Sequence, residues 1–228
     1  MIIKRMSIIL HKNWKYIFMF ISMILFLAIV EDVFENEIMK IDVFAYNLFV
    51  NTLRSDILTP FMIFITNLGS PVVLIGICII TLIILKNKKI GVSISFNLLL
   101  VSLLNILLKN IVQRPRPTDY RLIEEAGYSF PSGHSMISMA FYGFIIFLIF
   151  RYVKNKKMKY SLGILLSFII ALIGISRIYL GVHYASDVVA GFLISISYLF
   201  VFTTVIFKIN NYVKCKEIFN RKVFKKND

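Results

Sequence analysis

The sequence predicts an all-α membrane protein: a bundle of six transmembrane helices, with an amphipathic helical segment lying in the interface between the first and second. Two observations carry that expectation. Of 228 residues, 58% are hydrophobic and only 17% are charged, whereas soluble chains hold roughly 45–50% apolar and about 25% charged residues. The apolar residues also gather in blocks of roughly 16–22 positions almost free of charge, close to the ~20 residues a helix needs to cross a bilayer.

The first block, 15–31, follows Lys12 and Lys15 and exits through Ala28-Ile29-Val30-Glu31-Asp32. No small-residue cleavage site follows, so it reads as an uncleaved anchor helix rather than a removed signal. Between 38 and 68 apolar and polar positions mix. Ile41, Phe44, Ala45, Leu48 and Phe49 recur at helical spacing, with Lys40, Asp42 and Asn47 off that stripe and Val43 and Val50 breaking it. That pattern suits a helix lying in the interface. The break at Gly69-Ser70-Pro71 opens the second span, 70–86, and the others follow at 90–109, 133–151, 159–177 and 186–207. There is no internal repeat, so 1–228 is read as one domain whose motif-bearing core covers about 70–207.

The basic residues orient the bundle. Lys4, Arg5, Lys12 and Lys15 precede the first span, and Lys86, Lys88 and Lys89 follow the second. Arg151, Lys154, Lys156, Lys157 and Lys159 follow the fourth, and seven more lie in the tail after 207. Six spans put all of these on one side: 19 bases against two acids, facing seven bases and ten acids on the other. The rich side is the expected cytoplasm, with both termini. The net charge of +14 is therefore a topogenic signal, and no nucleic-acid partner is expected. Cys78 lies in an apolar block and Cys215 in the tail, with neither disulfide nor metal-ligand spacing.

Polar residues of chemical interest collect on the opposite, outer rim. Lys109, Arg114 and Arg116 end the third span, Ser132, Gly133 and His134 open the fourth, Arg177 ends the fifth, and His183 and Asp187 open the sixth. Singly, each has a plain explanation: a snorkelling cation, a helix N-cap at Ser132, an interfacial histidine. Of three histidines, however, only His11 lies elsewhere. A basic cup with two histidines and a carboxylate at membrane depth suits a phosphate group. His183 and Asp187 are four apart, so the carboxylate can hold one imidazole nitrogen and leave the other as a nucleophile. The helix start at Ser132–Ser135 offers unpaired N–H groups to an anion, and His134 in that first turn can donate a proton. Lys109 and Arg177 bring their charges from helix ends.

Lys109-x6-Arg116-Pro117, Pro131-Ser132-Gly133-His134 and Ser176-Arg177-x5-His183-x3-Asp187 together resemble the three motifs of the type 2 phosphatidic acid phosphatase family, which includes the vanadium haloperoxidases. The resemblance covers about 70–207. It implies that His183 attacks phosphorus with Asp187 orienting it, and that His134 protonates the lipid leaving group and then activates water. It further implies that Lys109, Arg116, Arg177, Ser132 and the Gly133 backbone bind the phosphate, with neither cofactor nor metal. Arg114 lies outside the motif positions and is open to a second phosphate or a headgroup.

The expected function is removal of phosphate from a lipid phosphate or diphosphate at the outer face of the cell membrane, with undecaprenyl diphosphate favoured. The alternatives are a phosphatidylglycerophosphate or phosphatidate phosphatase, a lipid phosphotransferase, or a binding or translocating protein. The loop 118–130, with Asp119, Arg121, Glu124 and Glu125, is expected to shape the headgroup site.

Overall fold

The computed structural model describes residues 2–35, 38–118 and 121–224, with side chains described over 13–35, 38–118 and 121–208. Asp119, and the side chains of His11, Cys215 and the charged residues before Asn13 and after Lys208, lie outside the described residues.

Every described element is helical: α1 (Ile2–Phe34), α2 (Lys40–Tyr46) running into a π-helical turn (Asn47–Thr52), α3 (Leu58–Asn67), α4 (Pro71–Ile84), α5 (Lys88–Val112), α6 (Gly133–Tyr152), α7 (Lys156–Tyr179) and α8 (Ala185–Phe224). Local sequence explains the boundaries. Asn87 accepts from Lys89 N at 3.2 Å and Asn155 from Met158 N at 3.1 Å, so each satisfies an orphan donor where the chain re-enters a helix. Pro71 stands in the first turn of α4, where its missing N–H costs nothing. Gln113 ends α5 at φ 52°, a left-handed turn that redirects the chain into Arg114-Pro115.

Five helices are long and apolar enough to cross a membrane, and six if the bent pair α3–α4 counts as one span. That pair revises the second span. α4 alone has 14 residues, about 21 Å of helix, too short for a hydrocarbon core of about 30 Å. It is continued by α3 across a 47° bend. Backbone carbonyls freed at such a break must be satisfied inside the protein, and Tyr142 Oη donates to Leu68 O at 2.7 Å. The helices also overrun the expected limits: α1 and α8 run to 33 and 40 residues.

α6 is the centre, packed on α5, α7 and α8, with α1 laid on α8. Its Met136, Ala140, Phe141 and Phe144 are fully buried. Between helices in lipid, close packing and polar links replace the hydrophobic drive. Ser22 and Ser197 join α1 to α8 at 2.7 Å, and Ser195 Oγ donates to Met136 O at 2.7 Å. Gly191 brings α8 close against the α6 backbone: a Cβ there would lie 3.1 Å from Met136 N and 3.2 Å from Ser132 O. Gly191→Val is therefore expected to part α8 from α6 and to destabilise the chain by about 1–3 kcal/mol, read as a lower melting temperature in detergent.

The expected apolar stripe of the segment after α1 is divided between the two sides. Ile41 and Phe44 point outward, while Asp42, Ala45 and Val50 are buried. The polar residue faces the protein, because the surroundings of the outward side are themselves apolar.

Candidate active site

The loop between α5 and α6 and the short turn between α7 and α8 meet at one end of the bundle. The lysine- and arginine-bearing turns before α5 and α7 lie at the other. Within this end the structure brings the three motifs together.

Asp187, in the first turn of α8, is fully buried. Its Oδ2 accepts from Tyr184 N at 2.9 Å and from the Ser129 hydroxyl, and it lies 3.4 Å from His183 Nδ1. Its Oδ1 accepts from Arg114 Nη1 at 2.7 Å. The expected pairing of His183 with Asp187 is present, although not on one helix face. His183 stands two residues before α8 begins, and the turn brings its ring back over the helix start.

On the other edge of the imidazole, Arg116 Nη1 lies 3.0 Å from Nε2. A guanidinium can only donate, so Nε2 accepts and the ring proton sits on Nδ1, facing Asp187 and Ser129. Burial pushes His183 down to about 4, against the opposing pull of Asp187. The ring is thus neutral near pH 7, with an Nε2 lone pair directed at the Arg116 guanidinium. An oxyanion held by Arg116 would bring its central atom within reach of that lone pair.

Arg116 itself is fixed by carbonyls. It donates to Gly127 O, Val182 O and Ala126 O, each at 3.0 Å. Arg177 is buried, with Nη1 on Thr66 Oγ1 at 2.7 Å and Nη2 on Glu125 Oε1. Its Nε has no partner among the described residues. Lys109 Nζ donates to Tyr128 O. Burial alone would raise the Glu125 carboxyl, but Arg177, His134 and Arg116 hold it below the usual carboxylate range. The Glu125 carboxylate thus rests on Arg177, with Arg116 Nη2 3.8 Å from its second oxygen.

Gly133 and His134 line the same cavity as Lys109, Arg116 and His183. A Cβ on Gly133 would stand 3.1 Å from Asn105 Oδ1, so a larger residue there would press on the Asn105 side chain of α5. His134 has a similar clearance: a Cβ on Gly69, at the α3–α4 break, would lie 3.3 Å from its Cδ2. Ser132 is fully buried, and its hydroxyl caps α6 by accepting from Ser135 N at 3.5 Å. Its backbone N donates to Asp187 O at 3.1 Å, so it ties two motifs together.

Arg114 departs from expectation. Rather than facing a second phosphate, it is held between Asp187 and Asp42, stacks at 4.1 Å over the Tyr184 ring, and donates to Ser186 Oγ at 2.7 Å. Glu125 was expected only to help shape a headgroup site, and neither Ser129 nor Asp42 was singled out. None belongs to a motif or to a periodic pattern that would single it out.

From this end a cavity of about 670 Å³ runs along the bundle between α4 and α5, past Pro71, Leu74, Cys78 and Leu82 on one wall and Leu98 and Leu99 on the other. Its head is charged and its length apolar. Among the described residues no group of three or more His, Cys, Asp or Glu is arranged to hold a metal ion.

Known proteins share this architecture. Phosphatidylglycerophosphatase B of Bacillus subtilis is 44% identical over 94 residues, 40% of this chain and 45% of that protein. The undecaprenyl-diphosphatase of Sulfolobus acidocaldarius is 29% identical over 143 residues, 60% of this chain and 65% of that one. These matches thus span between about half and two thirds of those relatives' length. The crystal structure of the transmembrane PAP2-type phosphatidylglycerolphosphate phosphatase from Bacillus subtilis superposes with a TM-score of 0.76 at 29% identity, covering 84% of this chain and 96% of that one. The PAP2 superfamily model matches residues 90–211, which hold every motif residue named above, and the chain belongs to that superfamily.

Proposed function

We propose that this chain is a membrane lipid phosphatase that hydrolyses a terminal phosphate from a lipid phosphate or diphosphate at the outer face of the cell membrane. The observation that carries the reading is His183 Nε2 set 3.0 Å from Arg116 Nη1 at the head of an apolar groove. Such a site accepts a phosphate whose remaining part lies among lipid-like side chains.

In the first step His183 Nε2 forms a bond to phosphorus while the bond from phosphorus to the lipid oxygen breaks, and His134 gives that oxygen its proton. In the second, His134 takes a proton from water, whose oxygen attacks the phosphohistidine and releases inorganic phosphate. Asp187 holds the Nδ1 proton and stabilises the positive ring. Lys109, Arg116 and Arg177 neutralise the phosphoryl oxygens, with the Gly133 N–H beside them, so the scheme takes no step through a metal. Glu125 yields its place on Arg177 to the incoming phosphate.

Undecaprenyl diphosphate is the favoured substrate, because an outward-facing site meets that lipid where wall synthesis releases it. A relative of that name supports it. Phosphatidylglycerophosphate is the second reading, favoured by the likeness to the Bacillus subtilis phosphatase structure. With Arg114 engaged by two carboxylates, Lys109, Arg116 and Arg177 are the cations left for either phosphate. The test is phosphate release by purified protein from undecaprenyl diphosphate, phosphatidylglycerophosphate and phosphatidate at equal bulk concentration. The highest kcat/KM on undecaprenyl diphosphate supports the first assignment, and the highest on phosphatidylglycerophosphate replaces it with the second. Release from none of the three rejects hydrolysis and points to transfer onto a lipid acceptor or to binding alone.

The orientation has its own test. In a background without Cys78 and Cys215, Arg121→Cys is expected to react with an impermeant thiol reagent applied to intact cells, and Lys156→Cys is not. The reverse pattern would place the site on the cytoplasmic face.

A further inference from the structure

Asp42 lies on α2, outside residues 90–211 that the family model covers, yet it reaches the orienting carboxylate through one side chain. It is 4% exposed, and Arg114 Nη2 donates to its Oδ2 at 3.1 Å while Arg114 Nη1 donates to Asp187 Oδ1 at 2.7 Å. The same aspartate receives Ser186 N on Oδ1 at 2.7 Å and Ser186 Oγ on Oδ2 at 2.8 Å. Ser186 N is one of the orphan donors of the first turn of α8. One guanidinium therefore serves two buried carboxylates, and one of those carboxylates also seats the helix that carries the other.

We propose that Asp42 is a positioning residue for catalysis, sharing the Arg114 guanidinium so that Asp187 keeps its second oxygen turned to His183. Its effect is geometric and electrostatic. Asp187 Oδ2 already stands 3.4 Å from His183 Nδ1, shared with Ser129 and Tyr184 N. With the charge on Asp42 removed, both arms of the Arg114 fork turn to Asp187, the bidentate geometry that guanidinium and carboxylate prefer. Oδ2 is then drawn off the imidazole, and the nucleophile loses orientation and basicity. The segment before α3, which the family model does not include, is in this way a working part of the site. The inference rests on the phosphatase reading given above.

Asp42→Asn is the test, because asparagine keeps the shape and can still accept from Ser186. In the full-length chain, kcat for lipid phosphate release is expected to fall about 10-fold, as small displacements of reacting groups do, with KM changed less than about 2-fold. The acid limb of kcat/KM should move to lower pH, since His183 loses support from Asp187 while Ser129, Arg116 and Arg177 still face it. In an Arg114→Gln background, or Arg114→Lys should that variant not fold, Asp42→Asn should change kcat less than about 2-fold, because coupled residues lose their separate effects. An unchanged kcat, a change in KM alone, or an equal loss in both backgrounds overturns the proposal. Wild-type protein that releases no phosphate defeats the phosphatase reading as well. Active wild type with an indifferent Asp42→Asn defeats the positioning role alone.

Discussion

Phosphate release by the His183→Ala variant is expected to fall by at least about 10⁴-fold, the scale on which removal of a covalent nucleophile acts. The reason lies in the ring's two edges. Nδ1 faces Asp187 and Ser129, and Nε2 faces Arg116 at 3.0 Å. Alanine removes the His183 lone pair at the head of the groove and leaves the cations in place. The variant should therefore still bind a lipid phosphate, so a binding assay on it separates lost chemistry from lost structure. With burial pushing His183 down to about 4, the wild-type protein is expected to keep the proposed nucleophile unprotonated at neutral pH. The sign follows: turnover is sustained above that value and falls as pH drops through it, when the ring takes up a proton and loses its lone pair.

Asp187→Asn is expected to lower kcat by about 10²–10⁴-fold while the protein still inserts and folds. An amide at this position can accept through one atom only, whereas the carboxylate receives Arg114 on Oδ1, and Ser129 and Tyr184 N on Oδ2. One of those donors would meet an NH₂ group. The imidazole would lose its anchored Nδ1 proton and its partner in the positive state formed on attack. At 1.36 kcal/mol per decade, such a loss corresponds to about 3–5 kcal/mol of transition-state stabilisation. An unchanged rate would remove Asp187 from the mechanism and leave its hydrogen bonds purely structural.

Much of this arrangement is legible in the chain. Spans three to six follow from hydropathy, and the eight candidate residues from their places at span ends and their motif spacing. The structure draws these residues to one end of the bundle. What escaped the sequence has identifiable causes. The reading of 38–68 placed Lys40, Asp42 and Asn47 together off the apolar stripe and did not tell which of them turns to the protein. In a bilayer Ile41 and Phe44 are at ease facing outward, and it is Asp42 that must be buried against a partner. Arg114 was judged by its charge alone, and its partner lies 72 residues away in sequence, a separation no local pattern reports. Ser129 and Glu125 sit in an irregular loop, where no periodicity ranks one position over the next. The second span shows the same limit: Gly69-Ser70-Pro71 reads as a boundary between elements, and no local pattern reports the hydrogen bond from Tyr142 to Leu68 O at the bend between α3 and α4.

The central claim is that His183 performs phosphoryl chemistry without a metal. Its most direct test is phosphate release by purified wild type and His183→Ala in detergent with chelator present, using undecaprenyl diphosphate and phosphatidylglycerophosphate. The account predicts release by the wild type that chelator leaves intact, and none by the variant. Release by the variant at the wild-type rate, or wild-type activity restored only by added magnesium, would contradict it.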